Sequence, residues 1–443
     1  MNPLLVSTSD KAGGAARAAW RLHRGLRAGG CPSRMLTLKK VSNDPSVRTI
    51  RPPRSLPDRV KRNLRRIAIA REPVEVAGDP PFEQFRTDRS IYGSDLLGAI
   101  FPDAKSQRAS QAAPAPDVVN LHWVAEMFDD DPFLPALAAR APIVWTLHDM
   151  HAFTGGCHYD RGCDRFAGPP IGMEDRSVEP RCGRCPQLRG DAERDLSRRI
   201  WERRSRAFAR IPTDRLTFVA PSRWLAEEVR RSAVCGRFEA KVIPYGLDTE
   251  LFRPRDQAAA RDVLGVPPDA KALLFLADAV TNVRKGFHLL RQALERLEGL
   301  PNLCLVTVGD SAPDLPASLP HVPLGRISDD RMLTLVYSAV DAFVIPSLAD
   351  NLPNTVLEAL ACGTPSVGFA VGGIPDMIRP GETGLLAPPE DVPALADAIA
   401  ELLSDDALRA RLAANCRRVA ETDYPLAKQA ERYEALFARL AAA

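Results

Sequence analysis

Residues 342–363 constrain the fold of this chain more than any other stretch. Ala342-Phe343-Val344-Ile345 is a short apolar run that reads as a buried strand. A polar loop follows, Pro346-Ser347-Leu348-Ala349-Asp350-Asn351-Leu352, and then a helix that opens at Pro353 and stops at Gly363. Proline suits the first turn of a helix and glycine its end. A strand that empties through a loop into a helix N-terminus leaves free amides and the positive end of a helix dipole facing one point. Two carboxylates frame that point. Asp350 lies on the loop, and Glu358 lies about one turn inside the helix on the face of Asn354. Asn351, Leu352, Pro353, Asn354 and Thr355 line the entry. An anion seat between two acceptor-only side chains suits a ligand with phosphates in the middle and hydroxyls on either side, such as a nucleotide-diphosphate sugar. The plainer alternative is an acid that merely complements the helix dipole.

Length and composition set the frame around this stretch. A chain of 443 residues predicts two domains. Hydrophobic content of 45% and charged content of 26% are those of an ordinary globular protein, and a net charge of +3 does not point to nucleic acid. No apolar run reaches the ~18 residues of a membrane span, and Met1-Asn2-Pro3-Leu4-Leu5-Val6 lacks a basic leader. A cytoplasmic protein is expected.

The N-terminal half opens with a strand at Leu4-Leu5-Val6, a turn containing Gly13-Gly14, and a helix over 15–26. That is the start of a Rossmann-like half without the full dinucleotide fingerprint. Gly13 and Gly14 would either let backbone approach a ligand or simply make a tight turn. Between 51 and 71, eight basic residues alternate with Leu56, Val60, Leu64 and Ile67 at helical spacing. This reads as a basic amphipathic helix for a membrane surface, or as the solvated face of an ordinary helix. A second basic helix carries Arg198, Arg199, Arg203, Arg204, Arg206 and Arg210, with too few aromatic residues for a nucleic-acid surface. Asp129-Asp130-Asp131 precedes Pro132 and is expected to cap a helix. The strand Pro142 to Leu147 delivers His148 and Asp149 at its C-terminal tip, where ligands sit in open α/β sheets.

Four of the nine cysteines fall between 157 and 185. Cys182-x2-Cys185 is half of a zinc knuckle, and Cys157-x5-Cys163 is a wider second pair. Structural zinc, free thiols and disulfides are the three readings, with zinc favoured because so long a loop needs a staple. Four thiolates would close the coordination shell, so such a metal would not be catalytic.

The C-terminal half begins with the strand Ala272 to Leu276 and leads through Arg284-Lys285-Gly286 into a helix from Phe287. Cations beside a helix N-terminus oppose the dipole unless an anion is expected there. Gly381 to Leu386 reads as a hairpin-like turn, and Leu426 to Leu440 as a last amphipathic helix.

These features together resemble the retaining glycosyltransferases of family 4. In that family a Glu, seven residues and a second Glu mark the donor site, and here Asp350 and Glu358 stand at those positions. Lys285-Gly286 matches the family's diphosphate grip, while its upstream arginine is replaced by Asp278-Ala279, leaving Arg284 to take that role. The run Thr146 to Cys157 resembles a branch that builds capsule, colanic acid or other exopolysaccharide. Lys241 to Pro254 looks like the family's inter-domain connection.

The resemblance implies the α/β fold called GT-B, two Rossmann-like domains facing across a cleft. The expected divisions are 1–243 on the acceptor side with a Cys-rich loop at 151–190, 244–424 for the nucleotide sugar, and 425–443 as a helix crossing back. It also implies transfer with retention and without a catalytic divalent ion. Asp350 would orient the donor sugar, Glu358 bind the ribose, and Lys285 and Arg284 the diphosphate, with His148 lining the reacting face. The partners implied are a nucleotide-sugar donor and a saccharide or lipid-linked saccharide acceptor, with an anionic membrane surface as a further partner on the inner face of the plasma membrane. Two other readings stay open: an epimerase or phosphorylase on the same fold, and a non-catalytic sugar-nucleotide-binding protein.

Overall fold

The computed structural model describes residues 1–50, 56–70, 74–78, 88–90, 96–101, 114–168, 181–279, 282–310, 315–316 and 318–442; the side chains of 56–59, 61, 70 and 279 are outside that description. Two compact units emerge, Met1–Pro244 with Gln429–Ala443, and Tyr245–Lys428.

The first unit is built on a seven-stranded sheet. Its strands are β1 (Pro3–Ser9), β2 (Arg34–Lys39), β3 (Val47–Thr49), β4 (Val118–Leu121), β5 (Ile143–Thr146), β6 (Leu216–Ala220) and β7 (Glu239–Val242), in the order β3-β2-β1-β4-β5-β6-β7. Every pairing is parallel. The central strands are covered on both faces, which is why β4, β5 and β6 are buried along their length and largely apolar, whereas the edge strands β3 and β7 carry Arg48, Glu239 and Lys241. The period of two sorts them. Leu4, Val6, Val119, Leu121, Ile143 and Trp145 join one core. Leu5, Val118, Val144 and Val219 join the other, against Leu22 and Leu26 of the helix Gly14–Ala28 and Tyr433, Leu436, Phe437 and Leu440 of the helix Leu426–Ala442.

The second unit holds a six-stranded sheet of β8 (Lys271–Ala279), β9 (Leu303–Asp310), β10 (His321–Pro323), β11 (Ala342–Ile345), β12 (Ser366–Phe369) and β13 (Gly384–Ala387), ordered β10-β9-β8-β11-β12-β13 and again parallel throughout. Leu273, Phe275, Ala342, Val344 and Phe369 pack under the helices Phe287–Arg296 and Val392–Ser404. On the opposite face Tyr337 meets Phe343 edge-on at 6.0 Å. Parallel sheets need such crossover helices on both sides.

Three local expectations change. Residues 384–387 are a parallel edge strand rather than part of a hairpin turn, because Gly384 to Ala387 pair in register with Ser366 to Phe369. The three acids at 129–131 do not cap their helix. Asp129 accepts from the Ser90 amide at 2.6 Å, Asp130 pairs with Arg204 at 2.8 Å and Asp131 with Arg210 at 2.5 Å. The arginines of the helix Leu196–Ala209 are accordingly structural in large part. Arg204 is fully buried and also donates to the carbonyls of His151 and Thr154. In the first basic stretch Arg51, Arg54 and Arg71 lie outside the described residues. The helix Leu56–Ala70 is present, with Val60, Leu64 and Ile67 all more than half exposed.

Candidate functional site

In each sheet the strand order reverses direction once, at β1/β4 and at β8/β11. Ligands of open α/β sheets sit outside the carboxyl ends of the strands at such a point. In the second unit the two loops leaving it are locked together. The Leu348 amide donates to the Arg284 carbonyl at 2.8 Å, and Arg284 Nη1 donates to the Ala349 carbonyl at 2.9 Å. Lys285 Nζ donates to Asp350 Oδ2 at 2.7 Å, with Arg284 Nη1 3.6 Å from the same oxygen. The approach depends on glycine. Gly286 has φ +71°, and a Cβ there would lie 1.8 Å from the Pro346 carbonyl oxygen. Gly372, φ +54°, brings in the loop after β12. Its Cβ would lie 2.0 Å from the Asp350 carbonyl oxygen, to which the Gly373 amide donates at 3.1 Å.

Asp350 is buried. Burial alone pushes its carboxyl up, but Lys285 and Arg284 outweigh it, helped by hydrogen bonds from Lys285 and the Asn351 amide, and hold it below the ordinary carboxylate value. The residues expected to serve phosphate and sugar therefore touch each other. Glu358 is also buried, in the helix Asn354–Ala361, and its Oε2 accepts from the Tyr337 hydroxyl at 3.0 Å. Pro353 stands just before that helix and Gly363 just past it, at φ +73°. Tyr337 was not apparent in the sequence, because nothing local links it to a residue on another helix.

In the first unit Gly13 precedes the helix Gly14–Ala28 with φ +88° and open space around its α-carbon. Its need for glycine is conformational rather than steric. Asp10 fastens the neighbouring loop by accepting from the amides of Val41 and Ser42 at 2.8 and 2.9 Å. His148 follows β5. Its Nε2 is 3.2 Å from Nδ1 of His122, which follows β4. Asp149 turns away from it, accepting from the His151 amide at 2.8 Å and pairing with His158 at 2.9 Å. His122 and its partner Asn120 were not singled out from the sequence, although their spacing along one strand end was a usable signal.

The four clustered cysteines, Cys157, Cys163, Cys182 and Cys185, line one cavity together with Thr154 and Phe166, and none forms a disulfide. Burial pushes the Cys182 and Cys185 thiols up to about 12 and about 11 and raises Cys157 well above the ordinary thiol value, as for neutral thiols. Among the described residues no group of three or more His, Cys, Asp or Glu side chains is arranged to hold a metal ion. The four cysteines expected to act together do line one cavity.

Residues 270–405, inside the second unit, match the family described as Glycosyl transferases group 1. Among curated relatives, a D-inositol 3-phosphate glycosyltransferase of Mycobacteroides abscessus is 34% identical over 172 residues, 37% of this chain and 38% of that protein. One from Xylanimonas cellulosilytica is 32% identical over 219 residues, 45% and 51% of the two chains. The chain thus matches about half or less of the length of these relatives. Solved structures extend the likeness of fold to the whole chain. Sucrose-phosphate synthase from Thermosynechococcus elongatus superposes with a TM-score of 0.64 at 21% identity, covering 100% of this chain and 99% of that one. Anabaena Alr3699/HepE in complex with UDP-glucose gives 0.59 at 17%, covering 99% and 100%. The fold is the two-domain parallel α/β arrangement of the GT-B glycosyltransferases.

The Lys285–Asp350 pair makes a pH-dependent contribution with a defined sign. A carboxylate held below its unfolded value adds stability that is present above the ordinary carboxylate pKa and is lost as pH falls through the folded value. In Lys285→Met, burial opposes ionisation with less compensation. The variant is then expected to be about 1.5–3 kcal/mol less stable than wild type at pH 7, with the gap narrowing by about pH 3, below the ordinary carboxylate value. Urea denaturation at the two pH values measures this, and a gap that stays constant would show that the pair does not set the ionisation of Asp350.

Proposed function

We propose that the protein transfers a sugar from a nucleotide-diphosphate sugar to a saccharide acceptor, with retention of anomeric configuration. The observation that carries this reading is the cluster at β8/β11. Two cations share one buried carboxylate, at a switch point that opens onto a helix N-terminus, with a second buried carboxylate on that helix. When the sugar–phosphate bond breaks, negative charge develops on the leaving diphosphate. Lys285, Arg284 and the backbone amides of Leu352, Asn354 and Thr355 are the groups to neutralise it, in a preformed polar setting. Pro353 has no amide to give and instead fixes the entry to the helix.

Asp350, released in part from Lys285 as phosphate arrives, orients the donor sugar, and Glu358 accepts from ribose hydroxyls. Its bond from Tyr337 sets the rotamer in advance. His148 and the Gly13–Gly14 turn serve the reacting side. The UDP-glucose seen with the Anabaena relative of this fold supports a nucleoside diphosphate as the common part of the ligand. The Thr146 to Cys157 run supports a cell-surface polysaccharide product.

The helix Leu56–Ala70 favours an acceptor presented at a membrane. No described helix is long and apolar enough to cross one. Val60, Leu64 and Ile67, at 52%, 62% and 54% exposure, instead face solvent on a helix that also carries Arg62, Arg65 and Arg66. Apolar residues flanked by cations suit an anionic lipid surface.

Two outcomes follow. With radiolabelled sugar nucleotides, wild type is expected to label a saccharide acceptor and Glu358→Gln to lose at least about 100-fold in kcat/KM; unchanged turnover would remove Glu358 from the site. In flotation, wild type is expected to rise with anionic liposomes at low salt and to do so less in Val60→Ser/Leu64→Ser/Ile67→Ser. Wild type that stays in the pellet would overturn the membrane reading.

A further inference from the structure

We propose that Asn120 and His122 are positioning residues that lock His148 in the tautomer with its proton on Nε2, so that its Nδ1 acts only as a hydrogen-bond acceptor. The relay begins at a backbone carbonyl, which can only accept a hydrogen bond. Asn120 Nδ2 lies 3.0 Å from the Val144 carbonyl oxygen and 2.9 Å from Thr146 Oγ1. Only the amide N–H₂ can face a carbonyl, so the orientation of the Asn120 side chain is fixed and its Oδ1 points the other way.

That oxygen lies 2.9 Å from His122 Nε2. An amide oxygen only accepts, so His122 Nε2 carries a proton. A neutral His122 then has a bare Nδ1. The atom facing it, 3.2 Å away, is His148 Nε2, which must donate. The two ring planes are 28° from parallel with centroids 5.4 Å apart. Burial keeps both rings neutral. It holds His122 well below the ordinary histidine value, aided by the neighbouring His148, and pushes His148 down to about 4 against the opposing influence of Asp149.

The relay is anchored from behind. Thr146 Oγ1, which accepts from Asn120, is 2.9 Å from the hydroxyl of Tyr433 in the helix Leu426–Ala442. A chain of side chains thus runs from Tyr433 through Thr146, Asn120 and His122 to His148, all within the first unit.

The chemical consequence is selective. Neutral imidazole with its lone pair on Nδ1 accepts from a hydroxyl or amine and repels a phosphate oxygen. On the reading of His148 as a wall of the transfer site, this tautomer suits a hydroxyl of the sugar or acceptor better than the diphosphate.

The test uses the full chain labelled with ¹⁵N in its seven histidines, with His122 and His148 assigned from His122→Gln and His148→Asn spectra. Ring nitrogen shifts at neutral pH are expected to be pyrrole-type at Nε2 and pyridine-type at Nδ1 for both residues. In Asn120→Ala, with folding checked by thermal melting, the His122 and His148 signals are expected to move towards a mixture of tautomers, and kcat to fall about tenfold. Tyr433→Phe, a milder change at the far end, should shift the same signals by a smaller amount. A pyridine-type Nε2 or a protonated ring at His148 in wild type overturns the relay whatever the activity. The expected tautomers in a protein that transfers no sugar would leave the relay standing and overturn the function proposed above.

Discussion

A buried carboxylate stays ionised only if cations are delivered to it, and the second unit is arranged around that requirement. Asp350 is carried by the loop after β11, and Lys285 and Arg284 by the turn after β8. Parallel order places those two strands side by side, so the two loops leave from the same edge. Their contact is close enough that Gly286 cannot take a Cβ without displacing the Pro346 carbonyl, and Gly372 on the loop after β12 is held as closely against the Asp350 carbonyl. The ion pair is not primarily a stabilising device, since desolvation offsets much of its Coulombic gain. On the function proposed above, its product is a preorganised site in which an arriving diphosphate takes over the cations while the carboxylate turns to a sugar.

The first unit meets a similar requirement in another way. There, polar groups at the strand tips are held by chains of hydrogen bonds rather than by opposed charges. His148 is backed by His122 and Asn120, and the loop that follows is stitched by Arg204 to the carbonyls of His151 and Thr154. Asp130, whose burial pushes its carboxyl up to about 6 against the pull of Arg204, secures that arginine in turn. A neutral imidazole suits a neutral ligand group, just as the cation cluster of the second unit suits phosphate.

How much of this was legible in the sequence depended on how local the cause was. Strands such as Ala342–Ile345 and Leu303–Asp310 announce themselves through continuous apolar runs, because burial on both faces is written into consecutive residues. The Asp350–Glu358 spacing and Lys285-Gly286 are likewise local, and both segments stand at the switch point. Causes that join distant segments were not legible. The acids at 129–131 look like caps until the arginines some 70 residues later are seen to face them. Gly384 to Ala387 reads as a turn because its strand character comes from Ser366 to Phe369. The cysteine spacing hinted at a grouping, and the fold brings the four thiols to one cavity, but the spacing alone did not show Thr154 and Phe166 beside them. Tyr337, Asn120 and His122 act through residues on other elements, so their part emerges only from distances.

The central claim is that the cations at β8/β11 are there for a diphosphate. Calorimetric titration of wild type and Lys285→Ala with nucleoside diphosphates and the matching monophosphates tests it most directly. The account predicts that the preferred diphosphate binds wild type at least about tenfold more tightly than its monophosphate, as one charge-assisted contact would supply, and that this advantage collapses in the variant while monophosphate binding changes little. Equal affinity for the two in wild type, or an advantage that survives unchanged in Lys285→Ala, would contradict it.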